Sequence, residues 1–190
     1  MRRLPFRLLL LFVLLLFLFS CAADKRGIAE LCKHLKNLED RKYIAHITAI
    51  FPKREVSFSL DYRFSVDGDD RVTVISPEEI SGVAFSVPEN DSTLEFDGIR
   101  LFLGSVDDFG TSPLSAMPQL LSVWRSGNYD EALSSDMFGE DAFLMIYRNR
   151  TDGKDLEYRT WFSEKDFFPL YAEIYNSGIR IIECKFERMR

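Results

Sequence analysis

The sequence predicts an α+β domain built on an antiparallel sheet, and three observations carry that reading. From Val56 to Val66 the chain alternates without a break. Val56, Phe58, Leu60, Tyr62, Phe64 and Val66 fall on one side, with Ser57, Ser59, Asp61, Arg63 and Ser65 on the other. Strict period-two alternation marks a strand with one apolar and one wet face, as antiparallel sheets have. Asp97-Gly98 then separates two apolar runs, Leu94 to Phe96 and Ile99 to Leu103, a hairpin signal because both residues of such a turn take positive φ. Helical spacing of apolar residues, in contrast, is clear in only two stretches, 24–39 and 113–124.

The first helix is read over 24–39, where Ile28, Leu31, Cys32, Leu35 and Leu38 share a face and Lys33, His34 and Lys36 lie elsewhere. The period changes to two from Tyr43, and the strand at 56–66 follows. Asp67-Gly68-Asp69-Asp70 reads as a hairpin turn, since a calcium loop would need further ligands and a late bidentate glutamate. Strands resume over Val72–Ile75 and, after Pro77, over Gly82–Val87. In the middle of the chain Leu114, Met117, Leu120, Leu121 and Trp124 lie at helical spacing behind Pro113, which suits a first turn. Pro118 inside this pattern predicts a kink or two short helices, and Tyr129 to Ser134 is expected to add a further helical turn. Four strands close the chain: Ala142–Arg148, Leu156–Phe162, Leu170–Tyr175 and Ile179–Arg188. Asp152-Gly153 and Asn176-Ser177-Gly178 supply turns between neighbours.

Residues 1–20 read as a signal peptide. Arg2, Arg3 and Arg7 form a positive start, Leu8 to Phe19 is an unbroken apolar run, and a small residue then precedes Cys21. The run is shorter than the roughly 20 residues a spanning helix needs. Leu18-Phe19-Ser20-Cys21 resembles a lipobox, with Phe19 bulkier than usual; the alternatives are an ordinary secretory signal or an uncleaved anchor. The lipobox reading makes Cys21 the lipidated first residue of a mature domain spanning 21–190, held outside the cytoplasm on a bacterial membrane. Removing three arginines and no acid takes the net charge from −6 to −9. So acidic a domain has no electrostatic footprint for nucleic acid and no charge attraction to anionic headgroups, which leaves anchoring to the acyl chains.

The chemistry of catalysis is sparse. Gly-x-Ser-x-Gly, a phosphate loop and a dinucleotide fingerprint are all missing, so no cofactor is called for and the domain is not read as an enzyme. His34 and His46 are the only histidines; with no paired-cysteine motif, no metal site is expected. Glu78-Glu79 and Asp107-Asp108 read as solvated turns. Cys32 and Cys184 both face the core, Cys184 because it alternates with Glu183 and Lys185. They are read as two buried free thiols, or as a disulfide if the helix crosses the sheet above the last strand. The 17 phenylalanines suit a sheet-rich core or a cavity walled by rings.

Two stretches resemble the LolA/LolB-like family of bacterial envelope lipoproteins and lipoprotein carriers. Asp97-Gly98-Ile99-Arg100-Leu101-Phe102 is similar to the family's central hairpin. Phe168-Pro169-Leu170-Tyr171-Ala172-Glu173-Ile174-Tyr175, with the turn and strand after it, is similar to its C-terminal strands. The resemblance spans roughly Asp24 to Arg188. It implies a curved antiparallel sheet forming an unclosed barrel, with helices covering the concave side around an apolar cavity that receives acyl chains. The candidate lining is Phe58, Leu60, Tyr62, Phe64, Phe85, Phe96, Leu101, Met117 and Trp124, or these residues form a solid core. The expected function is that of a membrane-anchored lipoprotein binding a lipid or lipoprotein acyl chain. The alternative, drawn from anchored relatives in spore-forming bacteria, is an interaction protein that binds or activates a cell-envelope enzyme.

Overall fold

Period-two alternation becomes eleven strands in the computed structural model, which describes residues 25–87, 92–104, 111–151 and 154–189. A first helix, α1, covers 25–36. It leads into β1 (Arg41–Phe51), β2 (Arg54–Phe64), β3 (Asp70–Ser76), a 3-10 turn (Glu78–Ile80), β4 (Ala84–Val87), β5 (Ser92–Phe96) and β6 (Ile99–Gly104). Helix α2 (Pro113–Ser126) precedes β7 (Glu131–Met137), β8 (Glu140–Thr151), β9 (Lys154–Ser163), β10 (Pro169–Asn176) and β11 (Ile179–Glu187). All strands join one antiparallel sheet in the order β6-β5-β4-β3-β2-β1-β11-β10-β9-β8-β7. The edges β6 and β7 do not pair with each other among the described residues, so the barrel is unclosed. The fold is α+β, with both helices packed on the concave face.

Alternation decides which side chains enter. In β1, Tyr43, Ala45, Ile47 and Ala49 are buried; in β2, Leu60, Tyr62 and Phe64; in β11, Ile182, Cys184 and Phe186. Val66 lies past the end of β2 and is 52 % exposed. The Asp97-Gly98 turn has φ of 50° and 75°, the left-handed pair that a two-residue hairpin requires.

Helix α2 is fixed at both ends. Ser112 caps it, its hydroxyl accepting a hydrogen bond from the Ser115 N–H, while the Ser115 hydroxyl accepts one from the Ser112 N–H; Pro113 begins the first turn. Gly127 ends it at φ 66°, and a Cβ there would fall 2.1 Å from Lys36 Cε of α1. Of the expected kink or split, the split does not occur: residues 113–126 form a single helix with Pro118 inside it. Pro118 has no N–H to offer the Leu114 carbonyl, but it is buried together with Met117, Leu120, Leu121 and Trp124. That burial outweighs one missing bond. The expected helical turn at 129–134 is instead the start of β7, because Glu131 to Met137 pair with Ile146 to Glu140 along β8.

Cys32 and Cys184 are free thiols, Cys184 fully buried and Cys32 half-buried. Burial pushes both thiols up from their ordinary range, which disfavours the thiolate form.

One polar pair sits at the border of the core. Tyr62 Oη donates to Asp70 Oδ2 at 2.6 Å. Burial raises the Asp70 carboxyl above its usual value, against the opposing pull of the Tyr62 hydroxyl and the Ser65 N–H. A carboxyl raised by folding contributes stability below its unfolded value, and that contribution is lost as pH rises through the folded one. Measured as urea midpoints, wild type is therefore expected to lose stability relative to Asp70→Asn as pH rises between about pH 3 and pH 7. A wild type that gains on Asp70→Asn as pH rises would contradict the assignment.

Candidate functional site

Helix α2 divides the concave face. Its C-terminal half carries Trp124, which is fully buried and whose indole N–H donates to Thr160 Oγ1 at 2.9 Å. Phe162 lies edge-on to Trp124 at 5.2 Å between ring centroids, Tyr43 at 6.4 Å and Phe186 tilted at 5.9 Å. The N-terminal half is slimmer. Ser112, Pro113 and Leu114 stand off from the sheet and leave an apolar cavity of about 440 Å³. Its opposite wall comes from Phe58 of β2, Val74 of β3, Ile80 and Val83 around the 3-10 turn, and Leu94 and Phe96 of β5. Among the described residues of this wall Ser112 is the one hydrogen-bonding side chain, its hydroxyl already engaged with Ser115, and none bears a charge.

No family model matches the sequence, and a search of curated proteins gives no match. Solved structures do. An uncharacterized conserved protein from Thermus thermophilus aligns over 88 % of this chain and 88 % of its own, with 11 % identity and a TM-score of 0.50. The LprF structure from Mycobacterium bovis aligns over 88 % and 92 %, at 10 % identity and a TM-score of 0.49. A LolA superfamily protein from Nitrosomonas europaea aligns over 87 % and 92 %, at 12 % identity and 0.45. The likeness is one of architecture: an unclosed antiparallel sheet with helices in its hollow. The chain shares the fold of the Thermus thermophilus protein.

Within this half-barrel the nine residues expected to line a cavity separate into three groups. Phe58 and Phe96 line it. Leu60, Tyr62, Phe64, Phe85, Met117 and Trp124 are instead solid core, each no more than 4 % exposed. Met117, Leu120, Leu121 and Trp124 of α2 are buried in one core cluster with Tyr43 and Ile47 of β1 and Tyr158 and Phe162 of β9. Leu101 lies on the exposed part of β6 at 53 %. Leu94 and Val74 could have been found from sequence, because they continue the alternation of Phe96 and Val72. Ile80, in a 3-10 turn after a proline, carried no such signal. Cys21 and the signal segment lie outside the described residues, as do Asp107 and Asp108. Among the described residues no helix is long and apolar enough to cross a membrane.

Across the outer face, His46 Nδ1 is 3.0 Å from Ser59 Oγ and its Nε2 is 3.3 Å from Glu187 Oε2. The order serine, histidine, acid is that of a nucleophile, base and orienting group. Here it spans three neighbouring strands, β2, β1 and β11, whose backbone N–H groups serve the sheet ladder. It is a cross-strand hydrogen-bond row. His34 packs against the Phe167 ring at 5.6 Å; burial and the Arg41 charge hold its imidazole below the usual range despite Asp166. Among the described residues no three His, Cys, Asp or Glu side chains converge on a metal-sized site.

Proposed function

We propose that this protein is a lipoprotein tethered through Cys21 to the outer side of a bacterial membrane, where it holds an acyl chain in the cavity between α2 and β2–β5. The observation that carries the reading is the cavity itself. Its volume of about 440 Å³ falls within the roughly 300–1,000 Å³ of small-molecule sites, and its described walls offer hydrocarbon and aromatic surface, with the one hydroxyl already bonded and no charge. Such a wall selects a chain of methylenes and leaves any headgroup outside, because an ionised group inside would have no partner.

Lipid mass spectrometry on protein purified from its membrane tests the ligand. A co-purifying acyl lipid is expected; protein that carries none, and that binds no fatty acid across a range of chain lengths, would overturn the reading. An envelope protein is the second candidate, favoured by Phe102, 78 % exposed on the edge strand, and that negative result would bring it to the front. The tether is tested separately. Cys21→Ala is expected to abolish fatty-acid labelling and to leave the protein with its leader uncleaved. Labelling that persists in this variant would refute the anchor.

A further inference from the structure

The pairing of β5 with β6 carries the apolar surface of the cavity out to the edge of the sheet. Leu94 and Phe96, both in the cavity wall, stand directly opposite Leu101 and Ile99. Opposed residues of an antiparallel pair project from the same face, so the four side chains form one surface. Its outer part is open: Phe96 is 44 % exposed, Leu101 53 % and Ile99 64 %. Arg100, the one charged residue of β6, projects from the other face and pairs with Glu95 at 3.7 Å. Phe102 shares that other face, opposite Thr93. From cavity wall to sheet edge the described residues of this surface are therefore apolar and uncharged, apart from the Ser112 hydroxyl.

We infer that the ligand site extends along this track. An unbranched hydrocarbon chain longer than the cavity places its tail between Phe58 and Leu114. Its middle lies over Leu94, Leu101 and Ile99, and it enters sideways across the β6 edge. The inference rests on the cavity being an acyl site, and it adds that the bound chain is long and that loading is lateral. Each methylene laid on the track leaves water, which tightens binding by up to about fourfold when burial is complete. A contiguous exposed apolar surface is otherwise a liability for a folded protein, and the chain covers it.

The test uses the full-length protein in membrane vesicles and palmitate bearing a photoactivatable diazirine. A diazirine at the chain terminus is expected to label Phe58 or Leu114; one at mid-chain, Ile99 or Leu101. The double variant Ile99→Ser/Leu101→Ser, at exposed positions that leave the core intact, is expected to lose the mid-chain label. It is also expected to weaken palmitate binding about tenfold while leaving octanoate, which fits the cavity alone, unchanged. Phe102→Ser, on the opposite face, should alter neither. Terminal labelling of the cavity without mid-chain labelling of β6, or unchanged palmitate affinity in the double variant, overturns the track and leaves the cavity reading standing. No labelling at either place overturns both.

Discussion

Trp124→Ala is expected to destabilise the domain by about 3–5 kcal/mol, the range seen when a large buried aromatic is truncated and its site cannot collapse. The indole is in contact with three rings from three strands, Tyr43, Phe162 and Phe186, so no single neighbour can move in to fill the void. The fully buried Thr160 hydroxyl also loses the N–H that satisfies it. Trp124→Phe separates the two effects, because it keeps most of the ring and removes only the donor. Its cost is expected to be about 1–3 kcal/mol, the penalty for a buried polar group left without its partner. Denaturant midpoints of the three proteins measure both. Were Trp124→Ala to unfold at the wild-type midpoint, the packed centre of the half-barrel described above would be wrong.

Leu114→Trp is expected to do the reverse: spare the fold and remove the ligand. Leu114 is half-buried in the cavity wall, where an indole has open space to enter instead of a packed core to displace. Filling the cavity with protein atoms leaves none for a guest. Losing the burial of three or four methylenes at about 0.8 kcal/mol each corresponds to a drop in affinity of about a hundredfold or more. Titration with laurate, alongside a thermal melt, checks both halves. Wild-type affinity in Leu114→Trp would show that the chain binds somewhere other than this cavity.

The strands and hairpins were legible in the sequence because their causes are local. Alternation in β2 needs only the residues of β2, and the Asp97-Gly98 turn needs only its own φ angles. The errors arose where a distant element decides. The stretch 131–137 carries no strong alternation of its own; its strand is imposed by β8. Pro118 argues for a break, yet the buried apolar stripe of α2 holds the helix through it. The cavity was the least legible feature of all. Phe58 and Phe64 occupy equivalent positions in one alternating strand, but Phe64 lies under the thick half of α2 with the Arg125 guanidinium 4.7 Å from its ring centroid. Phe58 lies beneath the slender half. No property of β2 distinguishes them; the taper of a helix more than fifty residues later does.

The pairing of β1 with β11 at the middle of the sheet has a kinetic meaning. Every other strand pairs with a neighbour in sequence, β1 through β6 as one meander and β7 through β11 as another. Among the described residues the two meanders share a strand ladder only where Ile44 to Ala49 face Glu187 to Ile182. That single ladder closes a loop made of nearly the whole domain, so its entropic cost falls on one event while the hairpins on either side close cheaply. The molecule is thus two local assemblies joined by one late seam, and the seam runs through β1. The cavity belongs wholly to the first assembly and to the helix laid against it. Breathing along the seam would therefore widen the half-barrel without dismantling the wall that holds the guest.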